Sequence, residues 1–95
     1  MKPYKIAVYP GTFDPVTYGH IDLIKRASRI FDRVIVAVAH NKSKGVFFSV
    51  PERVAMLKDA VRGIKNVEID DFDGLVVNYV KERGSHVMID RKSVV

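Results

Sequence analysis

The chain has 95 residues, 47% hydrophobic and 28% charged, which excludes intrinsic disorder and amounts to one small domain. It has no cysteine, which excludes disulfides and thiolate metal centres, and no apolar run approaches the roughly 18 residues of a membrane span. The net charge is +5, but Lys25, Arg26, Arg29, Arg33, Lys58, Arg62, Lys81 and Arg83 are dispersed rather than blocked, as on solvated helix faces, which argues against a nucleic-acid partner.

In chain order, Met1-Lys2-Pro3-Tyr4-Lys5 shows no signal-peptide pattern, so a cytoplasmic protein with no membrane partner is expected. The apolar run Ile6–Tyr9 predicts a first buried strand. A helix follows from about Gly19 to Phe31, with Leu23, Ile24, Ala27, Ile30 and Phe31 on one side. Val34–Ala39 is apolar at every position, the pattern of a strand covered on both faces and therefore of a parallel sheet. The second helix is announced by Ser49 as N-cap, with Glu52 as its capping-box partner and Pro51 in the first turn. Val54, Leu57, Val61 and Ile64 recur at helical spacing, and Gly63 or Lys65-Asn66 marks the stop. Val67–Ile69 predicts a third strand. Leu75–Arg83 predicts a third helix ending at Gly84, and Val87–Ile89 a fourth strand. The order β-α-β-α-β-α-β predicts an α/β fold: an open parallel sheet with helices on both faces, in a single domain spanning 1–95. Ligands of such sheets bind beyond the carboxyl ends of the strands. The Pro10–Tyr18, His40–Phe48 and Asp70–Gly74 loops fall at that end.

The loop from Gly11 to His20 is the strongest chemical signal. A glycine-bearing turn between a strand and a helix start aims backbone N–H groups and the positive helix end at one spot, where an anion is stabilised. Thr12 and His20 add side-chain donors there. Gly11 and Gly19 allow close approach of a ligand, Pro10 and Pro15 stiffen the loop, and Asp14 is placed to accept hydrogen bonds from loop amides. The bland alternative is an ordinary connection with a helix-capping histidine. His40 and His86 have no partner at metal-ligand spacing and are expected at the surface or at strand ends. Asp70, Asp71 and Asp73 form an acidic cluster for which loop and N-cap duty is expected rather than magnesium binding.

The run from Tyr9 to Asp22, containing Gly11-Thr12-Phe13-Asp14-Pro15 and Thr17-Tyr18-Gly19-His20, resembles the signature of the T/H-x-G-H nucleotidyltransferase superfamily. With Phe31–Ala39, Asn41-Lys42-Ser43-Lys44, Glu52-Arg53, Asn66-Val67-Glu68 and Phe72–Tyr79, nearly the whole chain up to Ile89 resembles bacterial phosphopantetheine adenylyltransferases. The resemblance implies a Rossmann-like fold and transfer of AMP from ATP to 4′-phosphopantetheine, with Mg2+ as cofactor and a homo-oligomeric, commonly hexameric, assembly. It implies that Thr12 and the Phe13 amide contact the ATP phosphates, Thr12 also touching the incoming phosphate. His20 would steady the α-phosphate, and Lys44 would bridge attacking and leaving phosphates. Val76 would contact the pantetheine arm. No protein side chain is implied as a metal ligand. After the fourth strand the family usually carries Arg-Gly-Leu-Arg, where this sequence has Asp90-Arg91-Lys92-Ser93, leaving Arg91 as the candidate phosphate contact. The family also continues beyond the position of Val95 with further helices, a fifth strand and a serine-rich ATP loop, so the sequence resembles a C-terminally altered and shortened member. A phosphate-binding fragment without turnover, another nucleotidyltransferase, and a self-assembling interaction protein are the alternatives.

Overall fold

Alternating strands and helices build the molecule in the order β1 (Ile6–Gly11), α1 (Tyr18–Ile30), β2 (Arg33–Ala39), α2 (Val50–Ala60), β3 (Val67–Phe72), α3 (Val76–Glu82) and β4 (Val87–Met88). The structure, a computed structural model, describes residues 6–40 and 47–89. The strands form a 4-stranded sheet in the order β3-β2-β1-β4, with every pairing parallel. In register, Ala7 lies opposite Val34 on one side and Val87 on the other, while Val36 lies opposite Ile69.

Strand periodicity explains the unbroken apolar run of β2. Val34, Val36 and Val38 face one core with Ala7 and Tyr9, together with Ile24, Ala27 and Phe31 of the α1 region and Leu57 and Val61 of the α2 region. Ile35 and Ala37 face a second core with Val8, Phe72 and Tyr79. Helices α1 and α2 therefore cover one face and α3 the other. This follows from right-handed crossovers: β1 to β2 to β3 steps one way along the sheet, and β3 to β4 steps back. The direction reverses between β1 and β4, which puts the crevice for a ligand at the carboxyl end of β1.

The local signals of the sequence account for the helix ends. Ser49 Oγ accepts the Glu52 N–H at 3.2 Å while Glu52 Oε1 accepts the Ser49 N–H at 2.9 Å, the expected capping box. Gly84 adopts φ of 72°, the left-handed conformation that ends α3 without a Cβ penalty. Helix α1 opens on a second capping box, with Thr17 as N-cap and His20 in the third position, which realises the helix-capping reading of that histidine and sets the helix start at Tyr18.

The acidic cluster is placed differently from expectation. Asp70 and Asp71 belong to β3 and pair with Ala37 and Val38, so the strand runs on to Phe72 instead of ending at Ile69. β3 is an edge strand, and an edge tolerates carboxylates that a central strand would bury. The N-cap of α3 is Leu75, which makes no side-chain cap bond, while Asp73 keeps the expected loop duty, its Oδ1 accepting the Gly74 N–H at 2.9 Å. Arg83 is not a simple solvated cation either. It donates to Glu68 Oε2, and to Asp70 Oδ2 at 2.7 Å, where the Tyr79 hydroxyl also donates at 2.7 Å. Arg33 closes the far side of Glu68 at 2.8 Å. This network ties the end of α3 to the edge strand.

Candidate functional site

The loop between β1 and α1 encloses a cavity of about 190 Å³ lined by Tyr9, Pro10, Gly11, Thr12, Phe13 and His20. The residues singled out in the sequence thus meet at the carboxyl end of β1, at the reversal point of the sheet. Thr12 is exposed, whereas Phe13 is 2% exposed. The Phe13 ring packs edge-on against Tyr9 at 5.2 Å and against the His20 imidazole at 4.9 Å. Its backbone adopts φ of 50°, a left-handed conformation that is costly for a residue with a Cβ and that persists because the ring is held on both sides. Gly11 also makes room for a neighbour. A Cβ there would meet the Phe13 ring at 3.1 Å, so glycine makes room for the buried aromatic.

The His20 ring is oriented by the turn before it. Its Nδ1 accepts the Thr17 backbone N–H at 2.9 Å and lies 3.0 Å from Thr17 Oγ1. With Nδ1 accepting, the neutral ring carries its proton on Nε2, which makes that nitrogen a donor. The capping and functional readings of this histidine are therefore compatible: the cap fixes the tautomer.

Two groups hold the loop from outside the cavity. The Asp14 carboxylate accepts the Phe47 and Phe48 N–H groups at 2.6 and 2.8 Å, joining the loop to the residues that lead into α2. Asp14 does accept amide hydrogen bonds, but from the neighbouring segment and not from its own turn. Arg53 is 2% exposed, and its guanidinium donates to three carbonyls: Phe48 at 3.0 Å, Thr12 at 2.9 Å and Ala39 at 3.2 Å. The sequence reading did not assign Arg53 a role. The signal was present: with Val50, Leu57 and Val61 it shares a buried helical stripe in which a cation requires satisfied donors.

The other candidates fall elsewhere. Lys44 and Arg91 lie outside the described residues. Val76 packs beside Phe72 and Tyr79 on the α3 face and does not line the Thr12–His20 cavity. His40 follows the end of β2, the expected strand-end placement, with its Nε2 2.6 Å from Asp71 Oδ2. His86 lines a separate groove with Val77, Val80, Lys81, Ser85 and Met88. Among the described residues, no group of three or more His, Asp or Glu side chains is arranged to hold a metal ion. Among them also, no helix is long and apolar enough to cross a membrane.

A parallel sheet reversing at β1 thus places the Thr–Phe–His cavity at a helix start, where open α/β sheets receive their ligands. Residues 8–94 match the cytidylyltransferase-like family, and the chain belongs to that family. Within it, the phosphopantetheine adenylyltransferase of Geotalea daltonii is 52% identical over 87 residues, covering 92% of this chain and 54% of that protein. The chain spans about half the length of the curated relatives it matches. The lipopolysaccharide core biosynthesis protein of Thermoplasma volcanium shares the fold with a TM-score of 0.72 at 21% identity, over 90% of this chain and 72% of that one. A bifunctional NMN adenylyltransferase/ADP ribose pyrophosphatase of Francisella tularensis, in complex with AMP and a manganese ion, matches with a TM-score of 0.64 at 25% identity, over 84% of this chain and 25% of that one.

Proposed function

We propose that this chain carries the nucleotide-phosphate site of an adenylyltransferase that moves AMP from ATP to 4′-phosphopantetheine, in coenzyme A biosynthesis in the cytoplasm. The observation that carries the reading is the His20 imidazole, tautomerically fixed by Thr17 and set into a cavity shared with Thr12 and Phe13. The similarity to the Geotalea daltonii enzyme supports the choice of acceptor.

In this reading an oxygen of the acceptor phosphate attacks the α-phosphorus of ATP. The bond from that phosphorus to the bridging oxygen breaks, and pyrophosphate leaves with the electron pair. No covalent protein intermediate is needed, so the chain's contribution is positioning and charge stabilisation. The Thr12 hydroxyl and the Phe13 amide hold phosphate oxygens, and His20 Nε2 donates to the α-phosphate as charge builds. Mg2+ would accompany ATP and supply neutralising charge to its phosphates; among the described residues the cavity lining has no carboxylate with which to hold the ion. Lys44 and Arg91 complete the proposal as cations toward the leaving and incoming phosphates, and a homo-oligomer is the proposed assembly.

Calorimetry with Mg-ATP tests the site. Thr12→Ala and His20→Ala should each weaken binding about 10-fold or more, the loss of a charge-assisted hydrogen bond. Equal affinity in all three proteins sinks the reading. A second reading is nucleotide binding without turnover. Pyrophosphate release on adding 4′-phosphopantetheine, above the His20→Ala background, decides between the two.

A further inference from the structure

Among the described residues Arg53 is the buried cation, and its described partners are all backbone carbonyls. One of those carbonyls belongs to Thr12, and the Thr12 C=O and Phe13 N–H are the two ends of one peptide unit. That peptide is trans, since the only cis bond among the described residues is Asp14-Pro15. In a trans peptide the C=O and N–H point in opposite directions. Gripping the carbonyl from the α2 side therefore turns the Phe13 N–H to the opposite side of the loop. The cavity is lined by Thr12, Phe13 and His20, and Arg53 is not part of its lining.

We propose that Arg53 is a positioning residue of the phosphate site, setting the direction and donor strength of the Phe13 amide through the Thr12 carbonyl. The proposal rests on the phosphate-site reading above and deepens it. Two effects combine. The hydrogen bond of 2.9 Å fixes the peptide plane, which a side chain at φ of 50° would otherwise leave by relaxing toward the right-handed region. A charged donor on the carbonyl also polarises the peptide, making its N–H a better donor to an anion. The same guanidinium holds Ala39 at the end of β2 and Phe48 before α2, so the peptide is referenced to the sheet and to α2 at once. A lysine keeps the charge but cannot hold three carbonyls in one planar fork.

The test is NMR on the 15N-labelled full chain, titrated with Mg-ATP and separately with inorganic tripolyphosphate, in wild type, Arg53→Lys and His20→Ala. Wild type should bind both probes with the Phe13 amide among the most shifted signals. Arg53→Lys should keep a dispersed spectrum, bind about 10-fold more weakly, and lose the selective Phe13 shift while the His20 ring signals still respond. A purely structural role for Arg53 would instead lower affinity with the Phe13 shift pattern intact at saturation, and that outcome overturns the proposal. If Arg53→Lys binds as wild type does while His20→Ala is weakened, the Arg53 role falls and the phosphate site stands. If wild type binds neither probe, both readings fall. Should the lysine variant lose its dispersed spectrum, the wild-type protein carries the test through the through-bond coupling between the Arg53 guanidinium and the Thr12 carbonyl. Its presence together with a Phe13 shift supports the proposal, and absence of either overturns it.

Discussion

Replacing Asp14 by alanine should destabilise the protein by about 2–3 kcal/mol. Its carboxylate receives two backbone N–H groups, Phe47 at 2.6 Å and Phe48 at 2.8 Å. A hydrogen bond to a charged acceptor contributes about 1.5–3 kcal/mol when its partner cannot be replaced. Phe47 is 79% exposed, so water takes over its N–H and that bond counts for only about 0.5–1 kcal/mol. Phe48 is half-buried and its donor is left without a replacement, for about 1.5–2 kcal/mol. Asp14→Asn should lie between, at about 1–2 kcal/mol, because the amide offers one oxygen to one N–H and turns its NH2 against the other. Urea unfolding followed by circular dichroism measures this. With a slope of about 1–3 kcal/mol/M, the alanine variant's midpoint should fall by about 0.7–3 M with the slope unchanged. A loss below about 0.5 kcal/mol would refute the argument that Asp14 is the joint between the two loops.

The remaining predictions concern the edge network and the helix start. Hydrogen bonding from Arg83 holds the Glu68 carboxyl below its ordinary value; burial opposes it, and the charges of Arg83 and Arg33 act with the hydrogen bond. Burial raises the Asp70 carboxyl, but the bonds from Tyr79, the Asp71 backbone and Arg83 outweigh it and leave it lowered. A folded-state value below the unfolded one stabilises the protein above the ordinary carboxyl range, near pH 4, and that stabilisation is lost as pH falls through the depressed value. The wild-type urea midpoint should therefore drop as pH falls below the ordinary carboxyl range, near pH 4, and Glu68→Gln should flatten part of that drop; superimposable pH curves would exclude the network as its source. Ser49→Ala removes the cap that accepts the Glu52 N–H and should cost about 1 kcal/mol, lowering the melting temperature by about 4–8 °C in a domain this size; a melt unchanged within a degree contradicts the capping assignment.

Much of the fold was written locally. The β2 run is apolar at every position because each residue is covered, alternately by α1 and α2 or by α3, and that pattern alone demanded a parallel sheet. Ser49 and Glu52 announced α2 three residues apart because a capping box is a contact within one turn. Thr12, Phe13 and His20 stand within one turn and its following helix, so their meeting was also legible. The end of β3 was not: Asp70 and Asp71 look like loop residues until their pairing with β2 shows an edge strand.

By itself, the sequence determined the alternation of strands and helices, the glycine-bearing turn after the first strand, and kinship with the nucleotidyltransferases, all carried by neighbours along the chain. Only the tertiary structure decided how that turn is held. Asp14 reaches Phe47 and Phe48, Arg53 reaches back to Thr12, and Arg83 reaches Glu68 and Asp70. These bonds join residues far apart in sequence, and helical or strand periodicity says which face a side chain occupies, not which distant carbonyl or carboxylate the crossover brings to meet it.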